Sequence, residues 1–235
     1  MNFKYHLRQK IKGYLERPVG SRSHLKKTLD EIAVVLPETV IFGGMIREFA
    51  IGNARQFTSD IDLVTLAPRA ELGKALRLYE PSLNKFGGFR FVVNKQRFDI
   101  WSLSDTWAYK QGYVKGEKFE DLFKTTFFNI DAAIFHLSTE QLDLHDGYEN
   151  WIRERLLDVN LAPNPRPANM IRRVISLIQS QRMGIAHKLA KYVDENHSLS
   201  AWTPIEERLF SQVSRYIESG DKEVLRINFQ PELII

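Results

Sequence analysis

Three carboxylates and a pair of glycines carry the chemistry in this sequence. Asp60 and Asp62 lie in Ser59-Asp60-Ile61-Asp62-Leu63-Val64, the start of a short apolar run. On a strand, residues two apart face the same side, so the spacing sets both carboxylates on one face. Two like charges held that close call for an opposite one, and a divalent cation with oxygen ligands is the usual answer. Asp99, in Phe98-Asp99-Ile100, stands in the middle of a second apolar run. If its strand pairs beside that of Asp62, it joins the other two. Three converging carboxylates can hold two Mg²⁺ ions, with Mn²⁺ as the alternative. Of these, one would activate an attacking hydroxyl and the other would orient a triphosphate and its leaving group.

Upstream, Val40-Ile41-Phe42 ends in Gly43-Gly44. Paired glycines at a strand-to-helix turn allow backbone N–H groups to approach a phosphate, aided by the positive end of the helix. Arg47, one turn into that helix, could add a guanidinium to the triphosphate. The competing reading treats Asp60 and Asp62 as ordinary exposed acids at a strand end, and Asp-x-Asp alone does not decide between the two.

Elements that could position these residues follow from periodicity and breakers. Helices are expected over 2–17 and 22–34, the second capped by Ser21 or Ser23 and parted from the first by Pro18 and Gly20. A strand over 39–42 leads to a helix over 45–51, stopped at Gly52-Asn53. A strand follows over 61–66 and a helix over 69–80. Residues 89–93 and 97–101 read as a hairpin about Asn94-Lys95-Gln96, with Gly87-Gly88 as a loop hinge. Residues 104–128 are loop-rich. A strand is expected over 130–137, with 141–144 beside it. Pro163, Pro165 and Pro167 mark a junction, after which helices are expected over 167–181, 185–195 and 204–218. The expected domains are 1–160 and 161–235.

The chain has 235 residues, 43% hydrophobic and 26% charged, and no cysteine. That removes disulfides, thiolate catalysis and cysteine-ligated zinc. No apolar run is long enough to span a membrane, and no secretory segment is read at the N-terminus. The expectation is a cytoplasmic protein with no membrane partner and an oligomeric state left open. The net charge of +4 is uneven. Residues 1–36 carry 8 Lys/Arg against 3 Asp/Glu, and residues 150–191 carry 8 against 2. Such segments either attract phosphates or are solvated helix faces. The six histidines show no metal spacing, and no Gly-x-Ser-x-Gly is present. Trp101, Trp107 and Tyr109 read as packing residues, with base stacking as the alternative.

Gly43-Gly44-Met45-Ile46-Arg47-Glu48 followed by Asp60-Ile61-Asp62 resembles the signature of the nucleotidyltransferase superfamily. More narrowly it is similar to the bacterial tRNA CCA-adding enzyme and poly(A) polymerase branch. Asp99 matches that family's third carboxylate. Phe128-Asn129-Ile130-Asp131-Ala132, the segment 144–150 and Met170-Ile171-Arg172-Arg173-Val174 resemble later motifs, so the likeness covers about 38–180. It implies an α/β (α+β) chain: a small mixed sheet with flanking helices, then a helical neck module. It also implies nucleotide-binding roles for Gly43, Gly44, Arg47, Asn129, Asp131 and Arg172, and catalytic and metal-binding roles for Asp60, Asp62 and Asp99. The reaction would join a nucleoside monophosphate from an NTP or dNTP to a hydroxyl, releasing pyrophosphate.

Departures bear on the substrate. Where the family has Arg-Arg-Asp before its Phe-Thr-Ile-Asn motif, this chain has Thr125-Thr126-Phe127, and the motif's Asn is Asp131. The base-reading motif falls on Pro165-Arg166-Pro167-Ala168-Asn169, without its acid or terminal arginine. The tRNA-gripping body and tail are expected to be largely absent. Three acceptors stay open: the 3′ end of a tRNA-like RNA or a DNA, a growing short oligonucleotide signal, and a protein side chain. The last two would suit prokaryotic defence or a toxin–antitoxin system. A non-catalytic nucleotide-binding module is the reading of a different class.

Overall fold

The computed structural model describes residues 2–17, 24–52, 54, 57–84 and 86–227. Its secondary structure follows the local signals closely. Helix α1 (Phe3–Glu16) starts at Asn2, whose side chain accepts from the Tyr5 amide, and it buries Leu7, Ile11 and Leu15 along one stripe. Helix α2 (Leu25–Val35) buries Leu25, Leu29 and Ile32 at the same period. The caps expected at Ser21 or Ser23, the break at Pro18 and Gly20, and the stop at Asn53 lie outside the described residues.

The chain divides into two compact units. The first comprises Met1–Thr126 and Asp131–Glu149; the second comprises Phe127–Ile130 and Asn150–Ile235. The first unit holds a seven-stranded mixed sheet in the order β3-β4-β5-β2-β1-β6-β7. Its strands are β1 (Thr39–Phe42), β2 (Ile61–Thr65), β3 (Ser82–Leu83), β4 (Phe89–Val93), β5 (Gln96–Ser102), β6 (Ala133–His136) and β7 (Leu142–Leu144). Neighbours are antiparallel except β2 and β5, which run parallel. A parallel pair needs a crossover, here helix α4 (Arg69–Ala75), a 3-10 turn over Arg77–Tyr79 and strands β3 and β4. The helix expected over 69–80 is thus α-helical only to Ala75; the 3-10 turn carries it on to Glu80, in the left-handed region with φ 48°.

Helix α3 (Gly44–Ala50) follows β1 directly. The hairpin of β4 and β5 turns on Asn94 and Lys95, both at positive φ (47° and 69°), as a two-residue turn matched to strand twist requires. The loop-rich stretch contains helix α5 (Trp107–Lys110) and a 3-10 run over Phe119–Thr125. The strand expected from Ile130 starts three residues later, because Asn129–Asp131 form a 3-10 turn.

In the second unit, helices α7 (Pro167–Gln181), α8 (His187–Asn196) and α9 (Pro204–Glu218) bury apolar stripes against one another. Two have proline in the first turn, where its missing N–H costs nothing. Thr203 and Glu206 form a capping box on α9. Helix α6 (Tyr148–Arg153) and the short parallel pair β8 (Leu156–Leu157) and β9 (Gly184–Ile185) had no signal in the sequence pattern.

Candidate active site

The register of β2 and β5 sets the site. Asp62 pairs with Asp99, and directly paired residues of neighbouring strands face the same side. Asp60, two residues before Asp62, lies on that face as well. Asp99 is 4% exposed. A carboxylate that dry requires partners, and it has two. Arg90, opposite Asp99 in the β4–β5 register, donates from Nε to Oδ1 at 2.9 Å and from Nη2 to Oδ2 at 2.5 Å. Asn84 Nδ2 donates to Oδ1 at 3.2 Å. The same Arg90 Nη2 reaches Asp60 Oδ2 at 3.4 Å, and Arg97 Nε lies 2.8 Å from Asp60 Oδ1. Arg90 is held above its ordinary pKa first by its bonds to Asp99; burial, the next effect in size, opposes this, and the charges of Asp99, Asp60 and Asp62 add to the rise.

The loop beneath this cluster is built around Asn84 and Gly88. Asn84 Oδ1 accepts from the amides of Phe86 and Gly88, both at 3.0 Å, while its amide group points to Asp99. Gly88 leaves room for the Trp101 indole: a Cβ there would lie 2.2 Å from its Nε1. Trp101 is therefore a packing residue of this loop.

The oxygen-only donor set of Asp60, Asp62 and Asp99 fits a hard divalent cation in kind. Among the described residues, no group of three or more His, Cys, Asp or Glu is spaced to hold a metal ion. Instead, Arg90 pairs with Asp99 and Asp60, and Arg97 pairs with Asp60.

The Gly-Gly turn is formed as its sequence suggests. Gly43 has φ 69°, a conformation in which a side chain would be strained, and its amide donates to Ala133 O at 3.3 Å. Arg47, however, is turned into the fold. It is 7% exposed; Nη1 bonds Asp131 Oδ1 at 2.5 Å and Nη2 bonds Glu48 Oε1 at 3.0 Å. Burial opposes its charge, but Asp131 and Glu48 outweigh that and hold it above its ordinary pKa. The guanidinium expected on a triphosphate is thus paired inside the fold with Asp131, itself one of the expected nucleotide-binding residues, and with Glu48. Beside them Tyr148 is fully buried, its hydroxyl without a hydrogen-bond partner, and burial pushes its pKa far up.

Two further expected residues make their bonds within the second unit. Asn129 is 3% exposed and staples the 156–158 segment: Nδ2 donates to Leu156 O at 3.1 Å, and Oδ1 accepts from the Asp158 amide at 2.9 Å. Arg172 donates to Ser200 Oγ at 2.7 Å and lies 5.0 Å from the centre of the Trp202 ring. Thr125 and Thr126 return their hydroxyls to the carbonyls of Leu122 and Phe123. The basic N-terminal segment is partly neutralised, since Lys4 pairs with Asp143 and Lys12 and Lys26 with Glu140. Sequence reasoning missed Arg90 and Asn84; the one signal was their place near the hairpin that carries Asp99.

No protein-family model and no curated protein sequence matches the chain. Solved structures do. The Thermotoga maritima CCA-adding enzyme complexed with tRNA is 18% identical, with a TM-score of 0.61 over 86% of this chain and 53% of that one. A CCA-adding enzyme in complex with CTP is 16% identical, also at 0.61, over 92% and 56%. A tRNA-processing enzyme is 15% identical, at 0.53, over 75% and 47%. The chain spans about half the length of these proteins. The chain therefore has a nucleotidyltransferase fold that resembles the head and neck of CCA-adding enzymes.

Proposed function

We propose that the protein is a nucleotidyltransferase that uses Asp60, Asp62 and Asp99 to join a nucleoside monophosphate to a hydroxyl acceptor. The observation that carries this reading is the β2–β5 register, which sets Asp99 beside Asp62 on the face that also carries Asp60. The fold shared with CCA-adding enzymes supports it, and some of those structures hold CTP, ATP or tRNA. The three aspartates would hold divalent cations, Mg²⁺ or Mn²⁺, which supply charge to the triphosphate and lower the pKa of the attacking hydroxyl. Gly43 and Gly44 let the chain run close to the phosphates, because neither has a side chain in the way. Asp99, the driest of the three, would orient the acceptor hydroxyl; Asn84 fixes its rotamer. The acceptor favoured by the fold is an RNA 3′ end. Synthesis of a short oligonucleotide and transfer onto a protein side chain remain the alternative acceptors.

One observation favours a second reading, a nucleotide-binding module without transfer: Arg90 already pairs with Asp99 and Asp60. Both readings meet one experiment. The protein is incubated with Mg²⁺ and each labelled rNTP and dNTP, with and without tRNA. Pyrophosphate release that needs tRNA and disappears in Asp60→Ala/Asp62→Ala supports the transferase with a nucleic-acid acceptor. Release without RNA moves the acceptor to an oligonucleotide or protein. Nucleotide binding with no pyrophosphate from any nucleotide leaves the binding module.

A further inference from the structure

A guanidinium and a metal ion answer the same need in different ways. A cluster of carboxylates destabilises itself unless a positive charge is near. A metal ion brings two charges and bonds several oxygens at once; a guanidinium brings one charge and a planar fork that suits one carboxylate. In this protein the fork is in place. Arg90 grips Asp99 with two bonds and extends the same Nη2 to Asp60. It reaches both from the neighbouring strand, since Arg90 and Asp99 are register partners in β4 and β5.

The two ends of this contact differ in exposure. The Asp99 side chain is 6% exposed, while that of Arg90 is 42% exposed. A long side chain lying that far in water can leave its partner by rotation, without unfolding a strand. Asp99 cannot follow it. Asp60 keeps Arg97, also at the surface with a side chain 57% exposed.

We propose that Arg90 is a built-in counter-cation that competes with divalent metal for Asp60 and Asp99, so that metal binding displaces its guanidinium from the carboxylates. Arg90 is then a positioning residue: it holds the acids together without metal and sets how much free cation is needed to load the site. The inference rests on the transferase reading of the three aspartates and makes a prediction of its own. Removing Arg90 must strengthen metal binding, although it removes a stabilising contact.

The test is Mn²⁺ binding by electron paramagnetic resonance, with the Mg²⁺-dependent rise in melting temperature as a second readout. Wild type, Arg90→Gln and Arg90→Lys are compared. Arg90→Gln is expected to bind Mn²⁺ about tenfold tighter, the size of a typical coupling between competing ligands. It should also melt lower than wild type without metal and gain more from Mg²⁺. Arg90→Lys keeps a charge and loses the fork, so it should fall between the two; it also serves if Arg90→Gln does not fold. Equal or weaker Mn²⁺ binding by the folded variants overturns the proposal. If wild type still releases pyrophosphate in that case, the transferase reading survives alone. If none of the proteins binds millimolar Mn²⁺ and no nucleotide yields pyrophosphate, both fall together.

Discussion

Two arginine–carboxylate clusters of the first unit pair the same chemical groups in opposite surroundings. Around Arg47, the guanidinium and Asp131 are both buried, and the pair locks the Gly-Gly turn to the segment before β6. Around Arg90, the carboxylate is buried and the guanidinium is in partial contact with water. Burial decides the difference. In a dry setting neither partner can be withdrawn, because the other would be left as an uncompensated charge. At a water boundary the cation can be exchanged for another. The first cluster is structure, and the second is where we propose the site.

Removing one partner from the dry pair is the harshest way to test this contrast. Arg47→Ala should cost about 3–5 kcal/mol, read from urea unfolding. Arg47→Met with Asp131→Leu should recover most of that loss, since an apolar pair of similar volume needs no counter-charge. A double variant as unstable as Arg47→Ala would show that the pair does more than satisfy itself. Next in size is Gly88→Ala. The added Cβ collides with the Trp101 indole, so about 1–3 kcal/mol should be lost. Since the same loop carries Asn84 to Asp99, the proposed transferase activity should fall as well.

At the Arg90 cluster the expected loss without metal is smaller. Arg90→Gln should lower stability by about 1 kcal/mol, discounted because the guanidinium is in contact with water. Added Mg²⁺ should return it, whereas no ion should rescue Arg47→Ala. The gentlest case is a carboxyl shielded from water with no guanidinium. Asp158 is pushed up by desolvation, opposed by the Val159 amide and Lys188. A raised folded pKa means that the native state takes up a proton first, so its penalty is present above the folded pKa and fades as pH falls towards the unfolded one. Asp158→Asn should therefore be more stable than wild type at pH 7. Urea unfolding at pH 7 and pH 4 should show that gain shrinking at the lower pH.

Much of this was legible beforehand. The helices α7 and α9 stand where their apolar period and proline starts place them. The Gly-Gly turn and the Asp-x-Asp strand are local patterns, and local sterics enforce them. The residues assigned from motif likeness fared differently. Arg47, Asn129, Asp131 and Arg172 hold positions in the chain that resemble the family's; Arg47 and Asp131 pair with each other, while Asn129 and Arg172 bond within the second unit. Asp131 stands where the family has asparagine, and an acid there captures Arg47.

By itself the sequence determined most of the helices and strands, the carboxylates and the face on which Asp60 and Asp62 lie, because periods of 2 and 3.6 residues are written locally. Only the tertiary structure decided that Asp99 stands beside Asp62, that Arg90 answers both Asp99 and Asp60, and that Arg47 meets an acid 84 residues away. Strand order and register bring those groups together across long loops. A charge chooses its partner by proximity and dryness, and neither is set by its neighbours in sequence.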